Sequence, residues 1–149
     1  MALEGLDDIV RKLRLLPDRV GNNAMRRALR KGANVVRDAA RSNAKAIDDP
    51  ETREKIHKNI AVASGGRRRE KEVGGVMLRV GVRGGAKPTS GDNGAPGGNT
   101  THWRFVEFGT SDTRAQPFMR QAGSSAAGKA ISAVVDDMHK QVEKELAKL

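Results

Sequence analysis

Apolar residues recur with a helical spacing at the two ends of the chain and alternate with polar residues in its middle. Residues 3–16 predict an amphipathic helix whose apolar face consists of Leu6, Ile9, Val10, Leu13 and Leu16. Pro17 interrupts this helix, and Asp18 is placed to cap a second one from about Val20 to Ala46. The apolar stripe of the second helix consists of Met25, Leu29, Ala33, Val36, Ala40 and Ala44.

A last long helix is predicted from Pro117 to about Ala147, because proline suits the first position of a helix. Its stripe repeats every four residues and consists of Phe118, Ala122, Ala126, Ala130, Val134, Met138, Val142 and Leu146. Gly123 and Gly128 either weaken this helix or allow another element to pack closely against it.

The middle of the chain has the period of two that is typical of half-buried strands. After one or two helical turns within 51–58, alternating apolar residues predict a β-hairpin with strands near 59–66 and 75–83 and a charged tip at 67–72. Residues 103–108 are apolar on both faces of an extended chain, so we expect a third, central strand there. A turn follows at 109–115.

These elements predict a single α+β domain over 1–149, in which a long N-terminal and a long C-terminal helix pack on a small antiparallel sheet. Residues 83–101 form a long Gly-rich loop without any large apolar side chain. A loop of this length is usually functional, or disordered until something binds to it. We therefore expect it to be flexible and to reach a partner.

Composition adds that the core of this domain is small. Leu, Ile, Val and Phe together make 30 of the 149 residues, whereas alanine alone makes 19. The formal net charge is +10, which with so few large apolar residues lies at the border of disordered composition. Because alanine buries little area, we expect the fold to be stabilised by a partner or by further copies of the chain.

Several classes of protein are excluded by the same composition. The chain has no cysteine, which excludes disulfide scaffolds, zinc ribbons and cysteine nucleophiles. No apolar run approaches the roughly 18 residues of a membrane span, so no membrane contact is expected. The first residues lack a basic segment followed by an apolar one, so we expect no signal peptide and synthesis in a reducing, cytosol-like compartment.

No arrangement of residues predicts an enzyme, a metal site or a cofactor. The histidines, His57, His102 and His139, lack partners at metal-ligand spacing on one helix face. The Gly-rich loop lacks both phosphate-binding glycine motifs, and no serine lies in a G-x-S-x-G motif. Glu107 is the one acidic residue surrounded by apolar sequence, and we expect it to pair with Arg104, Arg114 or Arg120 rather than to catalyse.

The basic residues allow several interpretations. A row of arginines follows the second helix: Arg26, Arg30, Arg37 and Arg41. The positive charge of this row is balanced by solvent, by nucleic acid, or by the acidic end of a neighbouring subunit's last helix, with Asp136, Asp137 and Glu143. The hairpin tip carries Arg67, Arg68 and Arg69, which either contact phosphate or keep an edge soluble. No helix-turn-helix is evident, and we expect the four aromatic residues to form the core instead of stacking on bases. DNA contact would therefore be non-specific and salt-dependent.

One block of sequence carries a family resemblance. Phe105-Val106-Glu107-Phe108-Gly109-Thr110 and then Ala115-Gln116-Pro117-Phe118-Met119-Arg120 resemble the signature of long-tailed bacteriophage proteins called tail components, tail-completion proteins or head–tail joining proteins. The order of the preceding elements is similar too, including Lys58-Asn59-Ile60 before the hairpin. The similar layout covers about 5–146, although only 103–122 is specific. Trp103 and Gln121 depart from it, standing where tyrosine and proline are usual.

The resemblance implies a structural protein of the virion with no catalytic residue. Such proteins form rings, with six subunits expected, in the neck or upper tail between the head connector and the tail tube. The block would be a folding device made of Phe105, Val106, Glu107, Phe108, Gly109, Thr110, Pro117 and Phe118. The arginine row and the acidic end of the last helix are hypothetical subunit interfaces, with 67–72 and 83–101 as arms. The alternative is a basic protein that contacts nucleic acid electrostatically.

Overall fold

The computed structural model describes residues 5–83 and 94–149. Its elements are α1 (Leu6–Leu13), α2 (Asp18–Ile47), α3 (Ile56–Asn59), β1 (Ile60–Ser64), α4 (Arg67–Val73), β2 (Leu78–Val82), α5 (Trp103–Phe108) and α6 (Met119–Leu146). β1 and β2 form a two-stranded antiparallel sheet, as the predicted hairpin requires. The α+β class and the long helices near both ends are therefore confirmed. Residues 84–93 of the predicted loop lie outside the described residues.

The predicted third strand is wrong, because residues 103–108 form the short helix α5. The Phe105 N–H donates to the carbonyl of His102, and the Gly109 N–H donates to the carbonyl of Phe105. A six-residue run with apolar groups on both sides has no periodicity that separates strand from helix. The helix places Phe105 and Phe108 on one side, three residues apart, and leaves Glu107 on another.

The charged hairpin tip also differs from the prediction, since Arg67–Val73 is helical. The bounding glycines adopt positive φ angles, +87° at Gly66 and +68° at Gly74, and Gly74 is the left-handed cap of α4. Both glycines make this conformation possible at little cost. β1 and β2 are thus joined by a helical segment instead of an open loop.

The described chain divides into two compact units. Unit 1 contains the described parts of 1–34 together with 64–79 and 128–149, and unit 2 contains 35–63 and the described parts of 80–127. The helices α2 and α6 each contribute residues to both units. One domain over the whole chain remains a prediction.

The core of unit 1 is formed by α1, α2 and α6. Its buried members are Ile9, Leu16, Ala28, Met138 and Val142. The two long helices approach closely at Gly32, where a β-carbon would lie 2.8 Å from the Ala130 carbonyl oxygen and 2.4 Å from Val134 Cγ2. Glycine is therefore required at this contact.

The core of unit 2 surrounds a single aromatic ring. Its buried members are Ala40, Ala44, Ile56, Ile60, Phe118 and Ala122. The expectation that the aromatic residues form the core is right for Phe118, which is 1% exposed, and wrong for Phe105 and Phe108, which are 62% and 61% exposed. Trp103 is half-buried against this core.

The predicted apolar stripes are confirmed to different degrees. Every member of the α6 stripe is buried or half-buried. On α2 the predicted Ala40 and Ala44 are buried, and the other buried positions are small residues outside the predicted stripe, Gly21, Ala24, Ala28 and Gly32. The remaining members of the predicted stripe are half-buried. Of the first predicted stripe, Ile9 on α1 and Leu16 after it are buried, whereas Leu6 and Val10 are exposed. None of the helices in the described ranges is long and apolar enough to cross a membrane.

Candidate functional site

A buried carboxylate joins α5 to the start of α6 in unit 2. Glu107 is 1% exposed. Its Oε2 accepts the N–H groups of Phe118 at 2.8 Å and Met119 at 2.9 Å, and its Oε1 accepts the N–H of Arg120 at 2.9 Å. The first N–H groups of a helix have no partner within it, so Glu107 supplies the cap that α6 needs.

Arg120 completes the pairing, which makes it the correct one of the three arginines expected for Glu107. Its Nε donates to Glu107 Oε1 at 3.1 Å, and its Nη2 donates to the Glu107 carbonyl at 2.7 Å. Burial raises the pKa of Glu107, but the hydrogen bonds from Met119, Arg120 and Phe118 outweigh burial and hold that pKa below its ordinary value. With both oxygens accepting from fixed donors, this carboxylate is a structural element rather than a base.

The same arginine fixes the orientation of one exposed ring. The guanidinium of Arg120 lies 5.0 Å from the centroid of the Phe108 ring, a cation–π contact. Beside α5 lies a shallow depression of about 290 Å³ lined by Ile47, His102, Phe105, Val106, Thr110, Thr113, Arg114 and Gln116. This volume is just below the range for small-molecule sites, about 300–1,000 Å³, and suits a side chain better.

The remaining block residues shape the turn between α5 and α6. Gly109 ends α5 with a φ of +75°, and a β-carbon there would lie 2.7 Å from the Ala115 nitrogen. Thr110 Oγ1 accepts the N–H of Thr113 at 3.0 Å, which closes the predicted turn. Pro117 precedes α6 instead of beginning it, and the helix starts at Met119.

Asn59 anchors the described end of the Gly-rich segment to unit 2. Its Nδ2 donates to the Gly98 carbonyl at 2.9 Å and to Thr100 Oγ1 at 2.6 Å, and its Oδ1 accepts the Gly97 N–H at 2.7 Å. Asn59 and Thr100 are both fully buried. Residues 97–100 are therefore held by their own chain. The sequence contains Asn59 within the family-like stretch before the hairpin, but no local pattern predicts this role.

The arginine row of α2 is largely occupied by partners within the chain. Arg26 binds Glu70 on α4 through two hydrogen bonds of 2.8 and 3.3 Å, and Arg41 donates twice to the Ile60 carbonyl. Arg37 pairs with its neighbour Asp38. Within the described ranges Arg30 has no such partner, so the row is not one continuous free surface.

The other residues predicted to form interfaces lie in unit 1. On α4, Arg68 pairs with Glu72, while Arg67 and Arg69 are exposed. On α6, Glu143 pairs with Lys12 of α1, and Asp136 is exposed. The described residues bring together no cluster of histidine, aspartate or glutamate that could hold a metal ion.

Comparison with known proteins identifies a family whose match includes most of the first half of the block, residues 105–109. Residues 7–109 match a family model described as bacteriophage HK97-gp10, putative tail-component. The chain belongs to the HK97-gp10 family. The match spans α1 to α5 and ends at Gly109, so the second half of the block, from 115 to 120, lies beyond it. No curated protein and no solved structure matches the chain.

Membership of the HK97-gp10 family makes the protein a structural tail component of a phage, and its place is the virion. The family resemblance in the sequence is thereby confirmed. Among the residues of the family match, the buried Glu107 holds α5 in place, and Phe105 and Phe108 on the same helix present an exposed apolar surface.

Proposed function

We propose that this HK97-gp10 family protein forms a ring at the neck or upper tail of a long-tailed phage, where it completes the tail and helps to join it to the head. The observation that carries the proposal is the exposure of Phe105 and Phe108 on α5. The whole chain has only four aromatic residues, and two of them face outward. We define these two side chains, with the depression beside them, as the α5 surface.

The α5 surface has the composition of the centre of a protein–protein interface. Aromatic residues and arginine are enriched in interfaces and among their energetically dominant residues. Burying a phenylalanine side chain contributes roughly 1.5–3 kcal/mol relative to leaving it exposed. A chain with so small a core gains from such burial only when another molecule covers the surface.

The α5 surface is also organised before any partner arrives. Glu107 fixes α5 against α6, and Arg120 bonds to Glu107 while contacting the Phe108 ring. Less conformational entropy is lost on binding when the contacting groups are already held in place. This rigidity supports repeated, identical subunit contacts.

Identical contacts between two different surfaces of each subunit build a ring when the rotation from one subunit to the next closes. We propose six subunits, with the head connector and the tail-tube proteins as neighbours above and below, and synthesis in the host cytoplasm. The arginine row, the arms at 67–72 and 83–101, and the acidic residues Asp136, Asp137 and Glu143 stay as proposed secondary contacts.

Light scattering and electron microscopy of the purified protein test the ring. We expect the wild type to form closed rings and the double variant Phe105→Ser/Phe108→Ser to remain a folded monomer. Leu15→Ser is the matched control, because Leu15 is 65% exposed and lies outside the α5 surface. A monomeric wild type, or rings that persist in the double variant, would overturn the proposal.

A second candidate function is electrostatic contact with DNA, and the exposed cations of α4 favour it. Arg67, Arg69 and Lys71 are exposed and, within the described ranges, lack carboxylate partners. Fluorescence anisotropy with duplex DNA at increasing salt measures how many phosphates are neutralised. A monomer that binds DNA, with a salt slope that falls when these residues are changed to alanine, would support this function in place of the ring.

A further inference from the structure

Of the eight exposed large hydrophobic residues in the described chain, four are isolated and four form two pairs. Leu6 and Val10 on α1 lie four residues apart, and Phe105 and Phe108 on α5 lie three apart. Residues at these spacings are neighbours on one helix face. The other exposed large hydrophobics of the described residues, Leu15, Val73, Ile131 and Leu149, have no neighbour at such a spacing. The structure therefore presents two paired apolar surfaces.

The first surface is the outer side of α1. Leu6 is 38% exposed and Val10 is 40% exposed, while Ile9 on the same helix is 2% exposed and holds α1 in the unit 1 core. Asp7 directly follows Leu6 in the sequence and is exposed. Its neighbour Asp8 is paired with Arg11 and Lys12, whereas Asp7 has no cationic partner within the described residues.

The second surface, the α5 surface, carries unpaired positive charge. Arg104 stacks over the Trp103 ring, and Arg114 lines the depression. Within the described residues neither guanidinium is paired with a carboxylate. Glu107 is buried and already bound by Arg120, which leaves Asp112 as the exposed acid of the 94–127 segment.

We propose that the α1 surface of one copy docks on the α5 surface of the next copy. Leu6 and Val10 would pack against Phe105, Phe108 and the depression of about 290 Å³, and Asp7 would meet Arg104 or Arg114. Both sides offer an apolar pair at one helical turn, and Asp7 on the α1 side is opposite in charge to Arg104 and Arg114 on the α5 side. This inference rests on the proposed ring and names the contact that builds it.

The docking determines the symmetry of the assembly. The two surfaces come from different elements, so each copy contributes α1 to one neighbour and α5 to the other. Such a contact is heterologous, and its repetition gives a ring or an open filament, whereas a closed two-fold dimer would need one self-complementary surface. The contact therefore predicts that each copy has one donor side and one acceptor side.

Mixing two blocked variants tests the docking. The variant Phe105→Asp/Phe108→Asp lacks the α5 surface, and the variant Leu6→Lys/Val10→Lys lacks the α1 surface. We expect each variant alone to be a monomer of 16.0 kDa, and the equimolar mixture to give dimers with one chain of each kind and nothing larger. Native mass spectrometry distinguishes these species, and circular dichroism verifies that both variants are folded.

Leu15→Lys and Ile131→Lys are the matched controls, since both residues are exposed but have no exposed hydrophobic neighbour one helical turn away. Both control variants should assemble like the wild type. Normal rings from the α1 variant, with a monomeric α5 variant, would overturn the docking and leave the proposed function standing. A monomeric wild type would overturn both. A mixture that stays monomeric, although each variant is folded, would overturn the docking.

A charge exchange provides a second measurement that does not alter the apolar pairs. Asp7→Arg should raise the concentration needed for assembly at least fivefold, and the combination with Arg104→Asp/Arg114→Asp should restore it. An Asp7→Arg variant that assembles at the wild-type concentration would show that Asp7 does not face the arginines and would overturn that part of the contact.

Discussion

Unit 1 and unit 2 differ in the kind of interaction that stabilises the interior of each. All three buried polar residues of the described chain, Asn59, Thr100 and Glu107, belong to unit 2, and each is hydrogen-bonded. The buried residues of unit 1 are apolar or glycine, and its ion pairs are exposed, such as Arg11 with Asp8, or half-buried, such as Arg26 with Glu70. Unit 2 is therefore specified by directional bonds to the backbone and unit 1 by shape.

The difference shows how a chain with few large apolar residues can still fix a unique fold. In unit 2, each buried polar group positions a backbone segment that has few apolar side chains of its own, such as 97–100. Leaving a buried donor or acceptor unpaired costs about 1–3 kcal/mol, so each such bond selects one arrangement strongly. In unit 1, Gly32 has the corresponding role, because only a residue without a side chain allows α2 and α6 to approach this closely.

The largest effect is expected where unit 2 depends on its one buried ring. Phe118→Ala should lower the free energy of unfolding by about 3–5 kcal/mol, because it removes a fully buried aromatic side chain. Phe108→Ala, the matched change at an exposed ring, should cost the unassembled subunit no more than about 0.5 kcal/mol. Denaturant unfolding of both variants measures the contrast, and equal losses would contradict the assignment of core and surface rings.

The next effect concerns the buried carboxylate. Glu107→Ala should destabilise by about 3 kcal/mol, because three backbone N–H groups and the Arg120 guanidinium lose their acceptor. Hydrogen exchange should show the loss at the first turn of α6.

Acid should have a related effect through the same residue. The pKa of Glu107 is lowered in the folded protein, so its stabilising contribution is complete above the ordinary value of 4.5 and is lost as pH falls through the folded pKa. Glu107→Gln should remove this part of the acid sensitivity while lowering stability at neutral pH. Unfolding curves that keep the same pH dependence below 4.5 in this variant would refute the prediction.

A smaller effect is expected at the helix contact of unit 1. Gly32→Ala should destabilise by about 1–3 kcal/mol, because the new methyl group would meet the Ala130 carbonyl and outweigh the gain in helix propensity. Gly128→Ala on α6 meets nothing within 4 Å and should stabilise by up to about 1 kcal/mol. Thermal unfolding should move in opposite directions for the two variants.

The smallest effect should be local to α4. Arg26→Ala removes the partner of Glu70, whose pKa is lowered by Arg26 and by the Met77 N–H. We expect faster hydrogen exchange and proteolysis within 67–75, with the midpoint of global unfolding unchanged. A shift of the global midpoint would mean that this ion pair contributes to unit 1 as a whole.

The long elements of this fold could be read from the sequence because their periodicity is sustained. The stripe of α6 repeats over seven turns, and alternation around Ile60 and Val80 is sufficient to locate the hairpin strands. Short elements carried too little pattern. The helix α5 is six residues long, and α4 is polar on all sides apart from Val73, so contacts distant in sequence decide both.

The candidate site was predictable as a block of sequence but not as a geometry. Glu107 was identified by its apolar surroundings, and one of its three possible partners was correct. Its bonds to Phe118 and Met119 join residues 11 and 12 positions apart, which no spacing rule covers. The outward direction of Phe105 and Phe108 follows from those bonds, because a helix that turns Glu107 inward turns both rings out.

The bond between Glu107 and the start of α6 frees one position for another purpose. The carbonyl of Phe118 accepts the first bond of the helix, from Ala122, so Phe118 occupies the place where serine, threonine, asparagine or aspartate usually serves as cap. Since Glu107 supplies the cap from another element, that place can hold the largest apolar side chain of the core. A fragment beginning after residue 109 would lack Glu107. The start of α6 would then have no side-chain cap, because Phe118 cannot supply one.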